Sequence, residues 1–357
     1  MKKISIVICL LLLVFTTSAQ KQPKVVIVTL DGFRWKEVFH GADSALFFNK
    51  VFNPSKDSLE RRKKYWAGTA AERREKLMPF FWNTISKNGQ VYGNRDEGSY
   101  VNVKNKYWVS YPGYNEMFSG YPDDIINSND FGPNPNVTVQ EWVNRQPGFE
   151  NKVATFASWA FFDKIMNKQR CGFPVNAGFT ALTGKLNSQQ QLLNEQQFLI
   201  SRLYAPTERN DVITYMMARE YMKQEHPRLL QISFIETDAL GHRGLYDSYL
   251  DAANHIDSML KSLWEAIQAD PYYKDQTTLY IAVDHGRGDG DQWKNHSASI
   301  KNSDQIWFAV MGPNIKPLNT SGQYYQNQHA KTIAALLGLD FKSPHLIGEP
   351  LVKVLNK

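Results

Sequence analysis

The sequence predicts an α/β fold: a three-layer α/β/α sandwich around a mostly parallel central sheet. Three observations predict it. Five apolar, β-branched runs recur along the chain, and several are nearly continuous rather than alternating, as in strands buried on both faces. Helix-like segments lie between them, so that strand and helix alternate. The 357 residues, 42% of them hydrophobic, suffice for one large core.

Taken in order, the first residues read as an export signal. Lys2 and Lys3 form a positive n-region, Ile4 to Phe15 an apolar run, and Thr17-Ser18-Ala19 a small-residue cleavage site. The run is too short for a spanning helix, and Cys9 lies inside it rather than at its end, where a lipid-anchored cysteine would stand. Residues 1–19 are expected to be removed, and 20–357 to be exported as a single catalytic domain without a membrane anchor. No added secretion module is evident, which favours the periplasm over full secretion. Cleavage leaves Cys171 as the only cysteine, which excludes an internal disulfide. It also lowers the formal charge from +6 to +4 by removing Lys2 and Lys3. The remaining positives cluster in Arg61-Arg62-Lys63-Lys64 and Arg73-Arg74, read as solvated helix faces, and no nucleic-acid partner is expected.

The expected strands are Lys24–Leu30, Lys152–Ala157, Leu229–Ile235, Thr277–Val283 and Gln305–Met311. The expected helices are Gln189–Leu203, Asp211–Gln224, Tyr246–Gln268 and Gln328–Leu337. The third shows clear 3.6-residue spacing through Ile256, Met259, Leu260, Leu263 and Trp264. Residues 34–107 fit the alternation poorly. They are long, charged and aromatic, with helical character around Ser58–Ser86 and a turn signal at Asn88-Gly89, and are read as an insertion beside the first strand's end. Its Trp35, Phe80, Phe81 and Trp82 suit local core or part of a substrate wall.

Ligands of an open α/β sheet gather outside the carboxyl ends of its strands. Three of the apolar runs end there in acids: Asp31-Gly32, Glu236-Thr237-Asp238 and Asp284-His285-Gly286. His242 follows Asp238 by four positions, so a helical turn would place both on one side, and His296 follows His285 by eleven. Carboxylates with imidazoles suit zinc, with manganese or iron as poorer fits. His40, His226, His255, His329 and His345 have no comparable acidic surroundings and read as structural. In Trp108-Val109-Ser110-Tyr111-Pro112-Gly113, Ser110 stands near the cap of a helix. It is either a plain N-cap or a hydroxyl facing an electropositive helix start, where a phosphoryl group would sit.

Together these residues resemble the alkaline phosphatase superfamily, closest to its type I phosphodiesterase/nucleotide pyrophosphatase-like branch, from Val25 to about Gly338. The resemblance implies an alkaline-phosphatase-like fold and two divalent ions, usually zinc. Asp238, His242 and His296 correspond to the ligands of the first ion. Asp31, Asp284, His285 and the Ser110 hydroxyl correspond to those of the second. Ser110 is then the implied nucleophile, attacking a small-molecule phosphate ester to form a phosphoseryl intermediate.

Three departures bear on the substrate. Ser110 and Gly113 stand where the diesterase branch commonly has threonine and asparagine. The branch's phosphate-holding asparagine corresponds to Asn127 or Asn129, of which we favour Asn129. The Lys-x-Arg pair of related monoesterases is missing after Lys152–Ala157, where Ser158-Trp159-Ala160-Phe161 stands instead; Lys168-Gln169-Arg170 arrives late and reads as a solvated charge run. A phosphodiester or pyrophosphate is thus expected, with a phosphomonoester as the alternative. A sulfatase would need arginine where Tyr114 stands, and a cofactor-independent phosphoglycerate mutase would be longer and cytoplasmic. A non-catalytic metal-stabilised binding protein would not need the Ser110 hydroxyl. A metal-free serine hydrolase would leave most of the acids and imidazoles idle and lacks a Gly-x-Ser-x-Gly elbow.

Overall fold

Continuous apolar runs need partners on both faces and along both edges, and the fold supplies them. The computed structural model describes residues 22–54, 58–200 and 205–355; the expected signal sequence and Cys9 lie outside these. Among the described residues, ten strands form two sheets: β1 (Lys24–Leu30), β2 (Gly89–Tyr92), β3 (Ser99–Asn102), β4 (Val153–Ala157), β5 (Val175–Ala177), β6 (Leu229–Phe234), β7 (Thr277–Ala282), β8 (Gln305–Ile306), β9 (Phe308–Met311) and β10 (Gly322–Tyr325). The large sheet has the order β2-β9-β7-β1-β6-β4-β5, and β10-β3-β8 form a small one. In the large sheet β7, β1, β6, β4 and β5 pair in parallel, while β9 is antiparallel to both β7 and β2. Every residue of β1, β6 and β7 is buried, which explains why these strands read as unbroken apolar runs.

Four of the expected strands appear with ends shifted by no more than one residue. The fifth run, Gln305–Met311, divides at Trp307, with β8 joining the small sheet and β9 the large one. The indole causes the break: it is fully buried, donates its N–H to Phe33 O (2.9 Å), and meets Phe33 and Phe81 edge-on. Four helices form where expected, at Ser188–Leu199, Asp211–Glu225, Tyr246–Ala269 and His329–Leu336; residues 201–203 of the first expectation lie outside the described residues. The helix Asp211–Glu225 covers β4 and β6 and meets Tyr246–Ala269, whereas Ser110–Ser119, Val139–Asn144 and His329–Leu336 pack on one another. No helix among the described residues is long and apolar enough to cross a membrane.

Residues 34–107 hold several short helices, but they also contribute β2 to the edge of the large sheet and β3 to the centre of the small one. The segment is tied to the long helix by several polar contacts. Asp257 accepts the Phe80 and Phe81 N–H groups (both 2.8 Å), and Arg61 pairs with Asp247 and Asp251. Trp35, Phe80 and Phe81 are buried, and Trp82 packs against the core, donating its N–H to Val38 O. These aromatics are core, not a wall facing substrate.

Candidate active site

Register sets the site. Leu30 lies opposite Phe234 and Thr29 opposite Ala282, so β1, β6 and β7 end side by side. Asp31 follows β1, Asp284 and His285 follow β7, and Asp238 and His242 lie on the short helix Glu236–His242 that follows β6. Thr237 Oγ1 donates to Asp31 O (2.6 Å), joining the β6 and β1 tips, and Gly32 N donates to Asp284 Oδ1 (3.0 Å), joining the β1 and β7 tips. Gly32 has φ +56°, and a Cβ there would lie 2.7 Å from Asp238 Oδ1. Only glycine fits the turn and the close approach.

One group gathers around His285. Its Nε2 lies 3.1 Å from Ser110 Oγ, 3.3 Å from Asp31 Oδ1 and 3.4 Å from Asp284 Oδ2. Its Nδ1 faces Gly286 O at 2.9 Å, so the proton sits on Nδ1 and Nε2 keeps its lone pair. A serine–histidine–acid relay would need the carboxylate at the other nitrogen. Here serine and both acids share one nitrogen, as ligands of a common cation do, which removes the metal-free hydrolase.

The second group is Asp238, His242 and His296. His242 Nε2 lies 3.1 Å from Asp238 Oδ2 and 3.0 Å from His296 Nε2, and His296 Nε2 lies 3.6 Å from Asp238 Oδ1. His296 Nδ1 donates to Trp108 O (3.1 Å), which again turns Nε2 inward. The two groups adjoin, since the His285 and His296 rings stack at 3.7 Å. Arg287 was not foreseen. Its fully buried guanidinium pairs with Asp238 and donates to Trp293 O and Lys294 O, so it braces both Asp238 and the loop before His296.

The electrostatics ask for a cation. Burial, with repulsion from Asp238, pushes Asp31 well above the usual carboxylate range, and burial, with repulsion from Asp31, does the same to Asp284. Burial alone would raise Asp238 too, but Arg287, His242 and His296 hold it well below that range. Asp284 Oδ2 is buried with no hydrogen-bond partner, an orphan that a metal ion would satisfy. Ligand atoms of Asp31, Asp284 and His285 lie within 4.8 Å of one another, as do those of Asp238, His285 and His296. This nitrogen and oxygen donor set fits zinc.

Ser110 is the first residue of the helix Ser110–Ser119, one place inside the expected cap, and Val109 at the cap makes no side-chain bond. Asn129 takes over the capping: its Oδ1 accepts the Tyr111 N–H (2.8 Å). That bond orients the Asn129 amide, leaving its NH2 group free to donate, and releases the Ser110 hydroxyl toward Asp31 (3.3 Å) and His285. At Gly113 a Cβ would lie 2.6 Å from Asp284 O, so this helix packs too closely on the β7 tip for a larger residue. Tyr114, where a sulfatase would have arginine, is buried and donates to Asp31 Oδ2 (3.2 Å).

A family model described as type I phosphodiesterase / nucleotide pyrophosphatase matches residues 47–336. The chain belongs to this family. It is accordingly a hydrolase of phosphate esters. Its fold is similar to that of the alkaline phosphatase PafA (13% identity, TM-score 0.59, covering 94% of this chain and 99% of that one). It is also similar to the phosphonate monoester hydrolase of Agrobacterium radiobacter (11%, 0.58, 93% and 77%). A third likeness is to the lipoteichoic acid synthase LtaP from Listeria monocytogenes (13%, 0.55, 94% and 76%). No curated protein sequence matches significantly.

The tip of β4 carries Ser158-Trp159-Ala160-Phe161 and no Lys-x-Arg pair. Ser158 bonds to Asp211 (2.6 Å) and Thr214 (2.8 Å), and Trp159 stacks on Phe161 at 4.7 Å. The nearby Arg209 is fully buried and held by Asn176, Thr214 and Ala157 O. Lys168 pairs with Asp163, as an exposed charge would. Arg170 corrects the expectation of a solvated run: it neutralises the buried Glu141 and donates to Pro135 O and Asn136 O.

Proposed function

We propose that this family member is an exported phosphodiester or pyrophosphate hydrolase that works through a phosphoseryl intermediate at a two-zinc site. The observation that carries the reading is the Ser110 hydroxyl beside Asp31 and His285, next to the unpartnered oxygen of Asp284. Asp31, Asp284, His285 and Ser110 would hold one ion, and Asp238, His242 and His296 the other. Bound ions acidify hydroxyl groups and stabilise negative charge on attacking and leaving oxygens. Ser110 Oγ attacks phosphorus, forming the Oγ–P bond as the ester P–O bond breaks and the leaving oxygen takes up a proton. Water then attacks the same phosphorus, the Oγ–P bond breaks, and Ser110 regains its proton. The Asn129 amide donates to a phosphate oxygen through this sequence. The preference for diesters rests on the β4 tip, where aromatic rings stand and the guanidinium of Arg209 is already engaged. The Lys-x-Arg pair that would bind the extra charge of a monoester dianion is missing after β4.

Parallel assays with an aryl phosphodiester, a phosphomonoester and a sulfate ester, combined with metal analysis, test the reading. The expectation is about two zinc ions per chain, fastest turnover of the diester, and a loss of about 10³–10⁶-fold in kcat for Ser110→Ala. Undiminished activity after chelation or in Ser110→Ala would reject the mechanism, and faster monoester turnover would reject the specificity. Export rests on residues 1–19, and N-terminal sequencing of protein made in a Gram-negative host should find Gln20 first.

A further inference from the structure

Glu116 has no part in the chemistry above, yet it is fully buried in the helix that begins with Ser110. Its carboxylate accepts Lys104 N (2.9 Å to Oε1), Asn105 N (2.6 Å to Oε2) and Asn105 Nδ2 (2.9 Å to Oε2). Burial pushes its pKa up to about 7, and these donors offset part of that cost. The buried Asn105 passes the anchorage on. With its NH2 group on Glu116, its Oδ1 is free to accept Tyr107 N (3.0 Å) and Trp108 N (3.1 Å). Trp108 is held at φ +53°, a left-handed conformation that a bulky residue adopts only under constraint. That conformation accompanies the bond from His296 Nδ1 to Trp108 O.

We propose that Glu116, Asn105 and the backbone of Trp108 form a positioning chain that holds His296 with Nε2 toward Asp238 and His242, thereby setting the affinity of the first metal site. The inference rests on the two-ion reading. His296 lies on a loop, and no strand ladder fixes its ring. A carbonyl partner at Nδ1 selects the tautomer that ligates through Nε2. The chain runs from a rigid helix through one asparagine to a strained carbonyl. It ends on the first ligand set, at His296, whereas His285 in the second set is oriented separately by Gly286 O.

The test measures zinc affinity by competition with a chromophoric chelator, in wild type, Glu116→Gln, Asn105→Ala and the double variant Asn105→Ala/Trp108→Gly. Outer partners of ligating histidines are commonly worth roughly 10–100-fold in affinity. Glu116→Gln and Asn105→Ala should therefore weaken one of the two ions by about that factor and leave the other unchanged. Glycine takes positive φ freely, so Trp108→Gly should recover part of the loss, which repair of a general folding defect would not do. Long-range ¹H–¹⁵N spectra of the metal-free protein add a readout independent of zinc: His296 should be the Nδ1–H tautomer in wild type and a mixture in Asn105→Ala. Wild type that binds two ions, with variants that match it or lose both equally, overturns the inference alone. A single tautomer that persists in Asn105→Ala also overturns it. Wild type that binds fewer than two ions, yet shows the tautomer shift, overturns the two-ion reading and leaves the chain supported.

Discussion

The two proposed ligand sets are built differently. Asp31, Asp284, His285 and Ser110 come from the ends of adjacent parallel strands and the first residue of a packed helix, and none is more than 3% exposed. Asp238, His242 and His296 come from a short helix and a loop, and the His242 side chain is 47% exposed. In the first case the sheet's own hydrogen bonds hold the ligands in place. In the second, groups outside the sheet do so: the Arg287 side chain braces Asp238 and the 293–294 backbone, and the Trp108 carbonyl braces His296. A site that holds a nucleophile gains from rigidity, and one that must receive water and release a leaving group gains from an open side.

Breaking each set at its histidine should expose this difference most. His285→Ala and His242→Ala should each lower kcat/KM by more than the roughly 100-fold upper bound typical of outer-shell losses. Added imidazole should restore activity in His242→Ala, whose vacated space opens to solvent, and not in His285→Ala, whose space is sealed. Rescue of both variants, or of His285→Ala alone, would erase the distinction between the sets.

Arg287→Met comes next. Removing one partner of a buried ion pair typically costs about 3–5 kcal/mol, because the other charge is left uncompensated. The metal-free variant should lose stability on that scale in denaturant titrations. Zinc would restore part of it by taking over Asp238, and the retained affinity should be lower for the first ion only. An affinity lowered for neither ion, or equally for both, would show that Arg287 does not brace the first set in particular.

How far the sequence revealed all this follows from which groups do the work. β1, β6 and β7 were legible because both faces are buried, and their acidic ends followed from where such sheets bind ligands. The direction of β9 and its separation from β8 were not, because an apolar run carries no sign of polarity and Trp307 turns the chain by burying its indole. The acids and imidazoles that the structure brings together were legible as residue types at and after strand ends. Their supports were not: Arg287 looks like any charge after Asp284-His285-Gly286, Asn129 acts through an amide oxygen from a distant loop, and Trp108 contributes only a carbonyl in a strained backbone.

Staged chelation should separate the sets by a smaller margin. With a limiting chelator, one zinc should leave before the other, and the ion retained longer should be the one unaffected by His242→Ala. Simultaneous loss of both ions in a single phase would mean that the stacked His285 and His296 rings make the two sets one unit.

The smallest effect comes from a control placed away from both sets. Asp257 ties residues 80 and 81 to the long helix, and burial raises its pKa to about 6. An acid whose pKa is raised on folding holds its proton more tightly in the folded state. Stability contributed by that bound proton is present below about pH 4 and is lost as pH rises toward 6. A shift of about two units corresponds to about 3 kcal/mol. In chelator-treated protein, Asp257→Asn should flatten the fall in stability between pH 4 and 6 relative to wild type, although Glu116 adds a loss of the same sign up to about pH 7. The variant should keep the zinc affinities of both sets. If a stability change at Asp257 instead weakened the first ion as Asn105→Ala is expected to, the looser set would be responding to global stability, and its side-chain braces would lose their special role.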